Sequence, residues 1–323
     1  MDEASQQTVS RESSESLIAS VAHTATDPRA GLFGPGSASW RVNRESALFL
    51  AAGRAALLQL AHPWVATALQ QHSTVMDRPI ARFHSTFRIV FTMIFGTAER
   101  AAAAARHLYE LHTHIQGDMA EDVGRWARGS HYQANETAAL RWVFATLIES
   151  AVLAWEAVLP PLAPAELEAY YADSRSLAGL FGLRAESLPP DWKSFLIYCR
   201  EMEQSDELGV SDTARDMGQR LLRGAGSGFA RVLKPPGWYR AITVAWLPGR
   251  FRREFGLRFG ADEERAVASA RERLPRWYGR LPATMRFVGP WHEAQARLAG
   301  RRPGIVALLS NRFWIGQDRM PFA

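Results

Sequence analysis

The chain has 323 residues and a formal net charge of +5. With 47% hydrophobic and 11% aromatic residues, disorder over most of the length is excluded, and there is enough apolar material for a large core with an enclosed pocket. All but Lys193 and Lys234 of the 38 basic residues are arginine, interleaved with 33 acids and not gathered into a stripe, which argues against a nucleic-acid partner.

In chain order, residues 1–30 are rich in Ser, Thr, Gln and Glu and are expected to form a flexible or lightly docked arm. No basic region precedes an apolar stretch there, so no secretory leader is read. The segment Gly31 to Ser39 is turn-rich. From Glu45 onward the spacing is helical, predicting helices over 44–61, 63–72, 79–95, 97–116, 119–127, 135–159, 164–172, 174–181, 190–203, 211–223, 236–246, 248–255, 262–278 and 283–298. Pro160-Pro161, Pro189-Pro190 and Pro235-Pro236 punctuate this run without any Ser/Gly linker. The expectation is an all-α fold: one large multi-helix domain over 31–300, with residues 301–323 as a tail packed on it. The longest apolar run, 142–163, is interrupted by Glu149 and Glu156, so no integral membrane segment is read and a cytoplasmic location is expected. The oligomeric state is not legible.

The single cysteine, Cys199, excludes an intrachain disulfide and sits in an apolar run, as a buried structural cysteine would. Gly-x-Ser-x-Gly occurs at Gly224 to Gly228, but no strand precedes it, and a hydrolase elbow needs one. There is no His-Glu-x-x-His and no pair of Glu-x-x-His units, so the usual helical zinc and di-iron patterns are missing.

Nine histidines remain to be sorted. In helix 97–116 the apolar stripe Ala101, Ala104, Ala105, Leu108, Leu111 and Ile115 includes His112, which therefore points inward, while His107 and His114 fall on the polar face. A buried imidazole needs a hydrogen-bond partner or a metal. On spacing alone a hydrogen-bonded core histidine is favoured over a ligand. In helix 79–95, Arg82 and Thr86 lie at i, i+4, in register with Ile89 and Met93. Arg82 calls for a carboxylate, from an internal ion pair or from a ligand.

Taken together, several motifs resemble the helical, heme-dependent oxygenase family that contains the latex clearing proteins (rubber oxygenases) and the MpaB-type oxygenases. They are Gly36-Ser-Ala-Ser-Trp40, Leu57-Leu-Gln-Leu-Ala-His-Pro63, Gln71-His-Ser73, Arg82-x-x-x-Thr86, Phe95-Gly96, His112-x-x-Ile-x-Gly117, Tyr132-x-Ala134 and Trp142-Val-x-Ala-Thr-Leu147. Weaker matches continue through Leu188-Pro-x-Asp-Trp192, Phe195-x-x-Tyr198 and Ala214-Arg215, so the similarity spans about residues 32 to 300. It implies an all-α fold holding heme b between core helices, with His112 as the axial iron ligand and Arg82 and Thr86 beside the heme, Thr86 as a candidate catalytic residue. His62 also matches, with no chemistry assigned to it. Two positions depart from the pattern: Ser85 stands where latex clearing proteins carry a lysine able to reach the heme, and Phe144 where relatives often carry histidine.

The expected function is therefore a heme b-dependent oxygenase using dioxygen on a small apolar substrate, such as one bearing an alkene or prenyl chain. Two rivals stay open: a non-catalytic helical binding protein for an apolar ligand, and a non-heme enzyme using a buried histidine as an acid–base group.

Overall fold

A computed structural model describes residues 8–73, 78–224 and 235–322. The fold is all-α, as expected. Its helices are α1 (Arg11–His23), α2 (Ala38–Asn43), α3 (Ala52–Leu60), α4 (Pro63–His72), α5 (Pro79–Phe95), α6 (Ala98–Thr113), α7 (Thr137–Glu156), α8 (Pro164–Ala178), α9 (Trp192–Gln204), α10 (Asp212–Arg223), α11 (Gly237–Ala245), α12 (Gly249–Glu254), α13 (Ala261–Tyr278), α14 (Ala283–Arg286), α15 (Gly289–Leu298) and α16 (Ile305–Ile315). Two three-residue strands, β1 (Gln116–Asp118) and β2 (His131–Gln133), pair antiparallel with Gly117 opposite Tyr132.

Proline at the first turn starts α4 and α5 where the sequence places them, because its fixed φ suits that position and its missing N–H has no intrahelical partner anyway. Side-chain caps set other starts: Thr97 accepts from the Arg100 amide (3.2 Å) at α6 and Glu136 from the Ala139 amide (2.7 Å) at α7. Helix α7 is long and apolar enough to cross a bilayer by length and composition, but it runs through the core. Trp142 Nε1 donates to the Leu58 carbonyl (2.9 Å), and Phe144 packs on Phe181. The motif residues Trp40, Leu57, Leu58 and Ala61 are all at most 1% exposed, so much of that pattern encodes core.

Several expectations change. Within the N-terminal arm α1 is an ordered helix, with Ile18 buried and α6 among its neighbours. The span 44–61 divides into a 3-10 turn at Ser46–Ala51 and α3. Segments 164–172 and 174–181 merge into α8 and a short 3-10 turn. No helix forms over 119–127. Gly124 (φ +57°) and Gly129 (φ +80°) take left-handed backbone conformations there, Asp122 accepts from the Arg128 amide (2.8 Å), and a Cβ at Gly124 would lie 2.4 Å from the Asp206 carbonyl oxygen. The C-terminal segment carries α16, held by buried Asn311 donating to Glu293 (2.7 Å) and to the Asp318 carbonyl (3.0 Å). The Gly-x-Ser-x-Gly segment, beyond Gly224 itself, lies outside the described residues.

Candidate functional site

The site forms at the open end of the α5–α6 hairpin. The two helices are joined by Gly96 and Thr97 and pack together along their lengths. Near the join, their facing rows are sealed: Ile89 and Met93 on α5, and Ala101 and Ala105 on α6, are 0–6% exposed. Farther from the join the same rows open. On α5 they continue through half-buried Thr86 to Arg82, whose surface is reachable by solvent, and on α6 through half-buried Leu108 to half-buried His112.

Arg82 is exposed and His112 half-buried, yet surrounding protein lowers the pKa of both, so the two stand together at the mouth of the recess between α5 and α6. Burial pushes the His112 pKa down to about 4, and the positive charge of Arg82 lowers it further, whereas a hydrogen bond to the Asn135 side chain opposes both. The imidazole is therefore neutral near pH 7. One ring nitrogen is engaged by Asn135, and the other has no hydrogen-bond partner among the described residues. Asn135 is itself buried and donates to Thr113 Oγ1 (3.2 Å) and the Tyr109 carbonyl (3.4 Å), so it is fixed against the last turn of α6.

Desolvation holds the Arg82 guanidinium below its ordinary pKa, and no carboxylate among the described residues offsets this. Among the described residues, the internal ion pair that such an arginine usually makes is not formed. Thr86 donates its hydroxyl proton to the Arg82 carbonyl (3.1 Å), which leaves its oxygen able only to accept. Ser85 is half-buried on the same turn, and His84 on the neighbouring face donates through Nε2 to the Phe313 carbonyl (3.0 Å).

The structure thus brings Arg82, Thr86 and His112 to one recess. It keeps His62 apart, 2% exposed at the start of α4, with its ring against Trp64 and Trp126 and Nδ1 unpartnered. Burial, then the charge of Arg125, lowers its pKa to about 4. Sequence reasoning missed Asn135, although the motif Tyr132-x-Ala134 ends one residue before it. Cys199 is 1% exposed and burial pushes its thiol pKa up, which makes it inert.

Among the described residues, no three His, Cys, Asp or Glu side chains converge on a point. A neutral imidazole beside a guanidinium with no carboxylate partner among the described residues suits a group that brings its own metal ligands and its own carboxylates. Heme has both: four macrocycle nitrogens around iron, and two propionates. The residues present fit that group.

A family model described as the catalytic domain of the ER-bound oxygenase mpaB/B' and rubber oxygenase matches residues 40–288. The chain belongs to this family. No curated protein and no solved structure matches the chain. The matched span contains Arg82, Thr86, His112 and Asn135 and ends just after α14.

Proposed function

We propose that this oxygenase-family chain is a heme b-dependent oxygenase acting on a small apolar substrate. The observation that supports this reading is the pairing, at one place, of a neutral His112 whose second ring nitrogen has no partner among the described residues with an Arg82 that meets no carboxylate among the described residues. When bound there, heme would supply dioxygen activation, which no side chain provides.

The residues divide the remaining work. His112 offers a lone pair, because its depressed pKa keeps the proton off at neutral pH and Asn135 fixes the ring. Arg82 presents a guanidinium able to form charge-assisted, bidentate hydrogen bonds with a propionate. Thr86, its own proton engaged by the Arg82 carbonyl, keeps its hydroxyl oxygen available as an acceptor at this site. The sealed end of the hairpin, Ile89 and Met93, excludes water and favours an apolar substrate. Ser85 supplies a hydroxyl and no amine at this turn of α5.

The pKa of His112 weighs against the rival acid–base role, since proton transfer is most effective when the group titrates near the working pH. The test is hemin titration of the purified chain followed by visible absorption before and after dithionite. A Soret band that shifts on reduction, and is lost in His112→Ala with helix content preserved, is the expected result. Failure of the wild type to take up hemin would return the chain to the binding-protein reading.

A further inference from the structure

Helix α16 lies outside the matched span and turns an apolar stripe to solvent. Ile305, Leu309 and Phe313, at i, i+4 and i+8, are 72%, 57% and 67% exposed, with Val306 beside them at 42%. This is not a loose end. The opposite face is locked by Asn311, which is fully buried on Glu293, and by Trp314, stacked on Phe49 with ring centroids 4.0 Å apart. A rigid helix that holds four large apolar side chains in water carries a standing cost unless something covers them.

We infer that the outward face of α16 is an interfacial anchor that seats the protein on an anionic lipid surface. Charge selects the partner. Arg312 is paired with Asp318 just past the helix, but exposed Arg301 and Arg302 stand directly before the apolar stripe, and no acid lies between Arg301 and Gln317. An apolar face bordered by arginine is what an anionic headgroup layer accommodates, with guanidinium at phosphate level and side chains in the acyl boundary. Area argues against a second copy of the chain. An 11-residue helix is about 16 Å long and about 10 Å across, so its outward half offers on the order of 250 Å², against roughly 800 Å² per partner in a stable interface.

The placement also bears on substrate entry. Phe313 receives the His84 hydrogen bond and Trp314 stacks on Phe49, which packs in turn on Phe83 and Phe87, so α16 rests on the half of α5 that carries Arg82 and Thr86. An apolar molecule dissolved in lipid would meet the protein beside the recess. The anchor itself does not depend on what the recess binds.

The test is co-sedimentation of the full chain with phosphatidylcholine vesicles, with and without phosphatidylglycerol. Partitioning at least tenfold stronger onto the anionic vesicles is expected, falling as salt is raised. Leu309→Glu/Phe313→Glu should abolish it on both vesicle types, and Leu309→Ala/Phe313→Ala, which preserves helix propensity, should weaken it. Arg301→Gln/Arg302→Gln should lower the anionic preference by about tenfold. A wild-type chain that stays in the supernatant with both vesicles overturns the proposal, as does binding that ignores the Leu309 and Phe313 substitutions. So does a wild-type dimer that Phe313→Glu converts to monomer, since a second copy would then cover the face.

Discussion

Asn135 holds His112. The imidazole shares a hydrogen bond with the Asn135 side chain, whose amide nitrogen donates to Thr113 and to the Tyr109 carbonyl, so the ring is tied to the last turn of its own helix. An outer partner of this kind fixes which ring nitrogen faces the ligand, and losing it typically costs about 10- to 100-fold in affinity for the bound metal group. Asn135→Ala is therefore expected to keep hemin binding but weaken it by about that factor, with an altered Soret position. Hemin titration against the wild type checks this. Unchanged affinity and spectrum would mean that the ring is oriented by other contacts.

Arg82 is expected to recognise carboxylate and not porphyrin as such. The wild type should bind hemin more tightly than its dimethyl ester, by about 10- to 100-fold if one charge-assisted bond of about 1.5–3 kcal/mol is at stake. Arg82→Met should bind the two equally, since the methionine keeps the apolar stem and loses the charge. Parallel titrations decide it. Retained discrimination in Arg82→Met would move the propionate contact elsewhere.

The helices of the site and its polar residues were legible to different depths. Pro63, Pro79 and the α6 stripe announce their helices because they act locally, through backbone geometry and period. The inward aim of His112 followed from that same period. What periodicity does not carry is convergence: that Arg82 lowers the pKa of His112, and that Asn135 arrives from the loop before α7, depend on how the hairpin packs. The span 119–127 is read as helix in sequence but forms a loop, because its determinants, the positive φ of Gly124 and of Gly129 just beyond, and the backbone approach at Asp206, are conformational and not apolar. Helix α16 stays hidden within the expected tail because apolar residues stand nearly all round it, leaving little periodic contrast.

Stability should fall as the medium is acidified. His62 and His112 titrate near 4 in the folded chain, mainly through burial, against about 6.5 when unfolded. Below 6.5 the unfolded chain takes up protons that the folded chain refuses, so stability present above that pH is lost as pH falls toward 4, at about 1.4 kcal/mol per pH unit for each ring. Glu203 runs the other way. Burial and the neighbouring Glu149 raise its pKa to about 7, so it contributes stability at low pH that is lost between about 4.5 and 7. These three groups together give urea unfolding between pH 6.5 and 5 a slope of about one proton, or ~1.4 kcal/mol per pH unit, which the raised pKa values of Glu136, Glu156, Asp173 and Glu207 oppose and the lowered pKa of His292 adds to. His62→Phe, which also removes the unpartnered Nδ1, should flatten that slope. A slope that is unchanged by this substitution would assign the proton uptake to other groups.

The same Glu203 belongs to a buried cluster that tests how charge is carried through the core. Arg54, 4% exposed, donates through Nε to the Trp246 carbonyl (3.0 Å), through Nη1 to Ser150 (2.9 Å) and through Nη2 to Glu149 (2.7 Å), with Glu203 at 3.6 Å. One cation thus faces two carboxylates, and the nearer one takes the short bond. Relative to the wild type, Glu203→Gln should therefore change stability little below about pH 4.5, where the carboxyl is protonated in both states, gain progressively between about 4.5 and 7, and level off above pH 7, where ionised Glu203 repels Glu149. It should also steepen the acid slope toward two protons, because its opposing titration is gone. Arg54→Met removes the cation and leaves both carboxylates facing each other, a change expected to cost about 3–5 kcal/mol at pH 8 and less at pH 5. Combining the two substitutions should recover part of that loss, and a double-mutant cycle by urea unfolding at both pH values measures the coupling. Equal coupling at pH 5 and pH 8 would show that Glu203 keeps its charge throughout, and would remove it from the pH response.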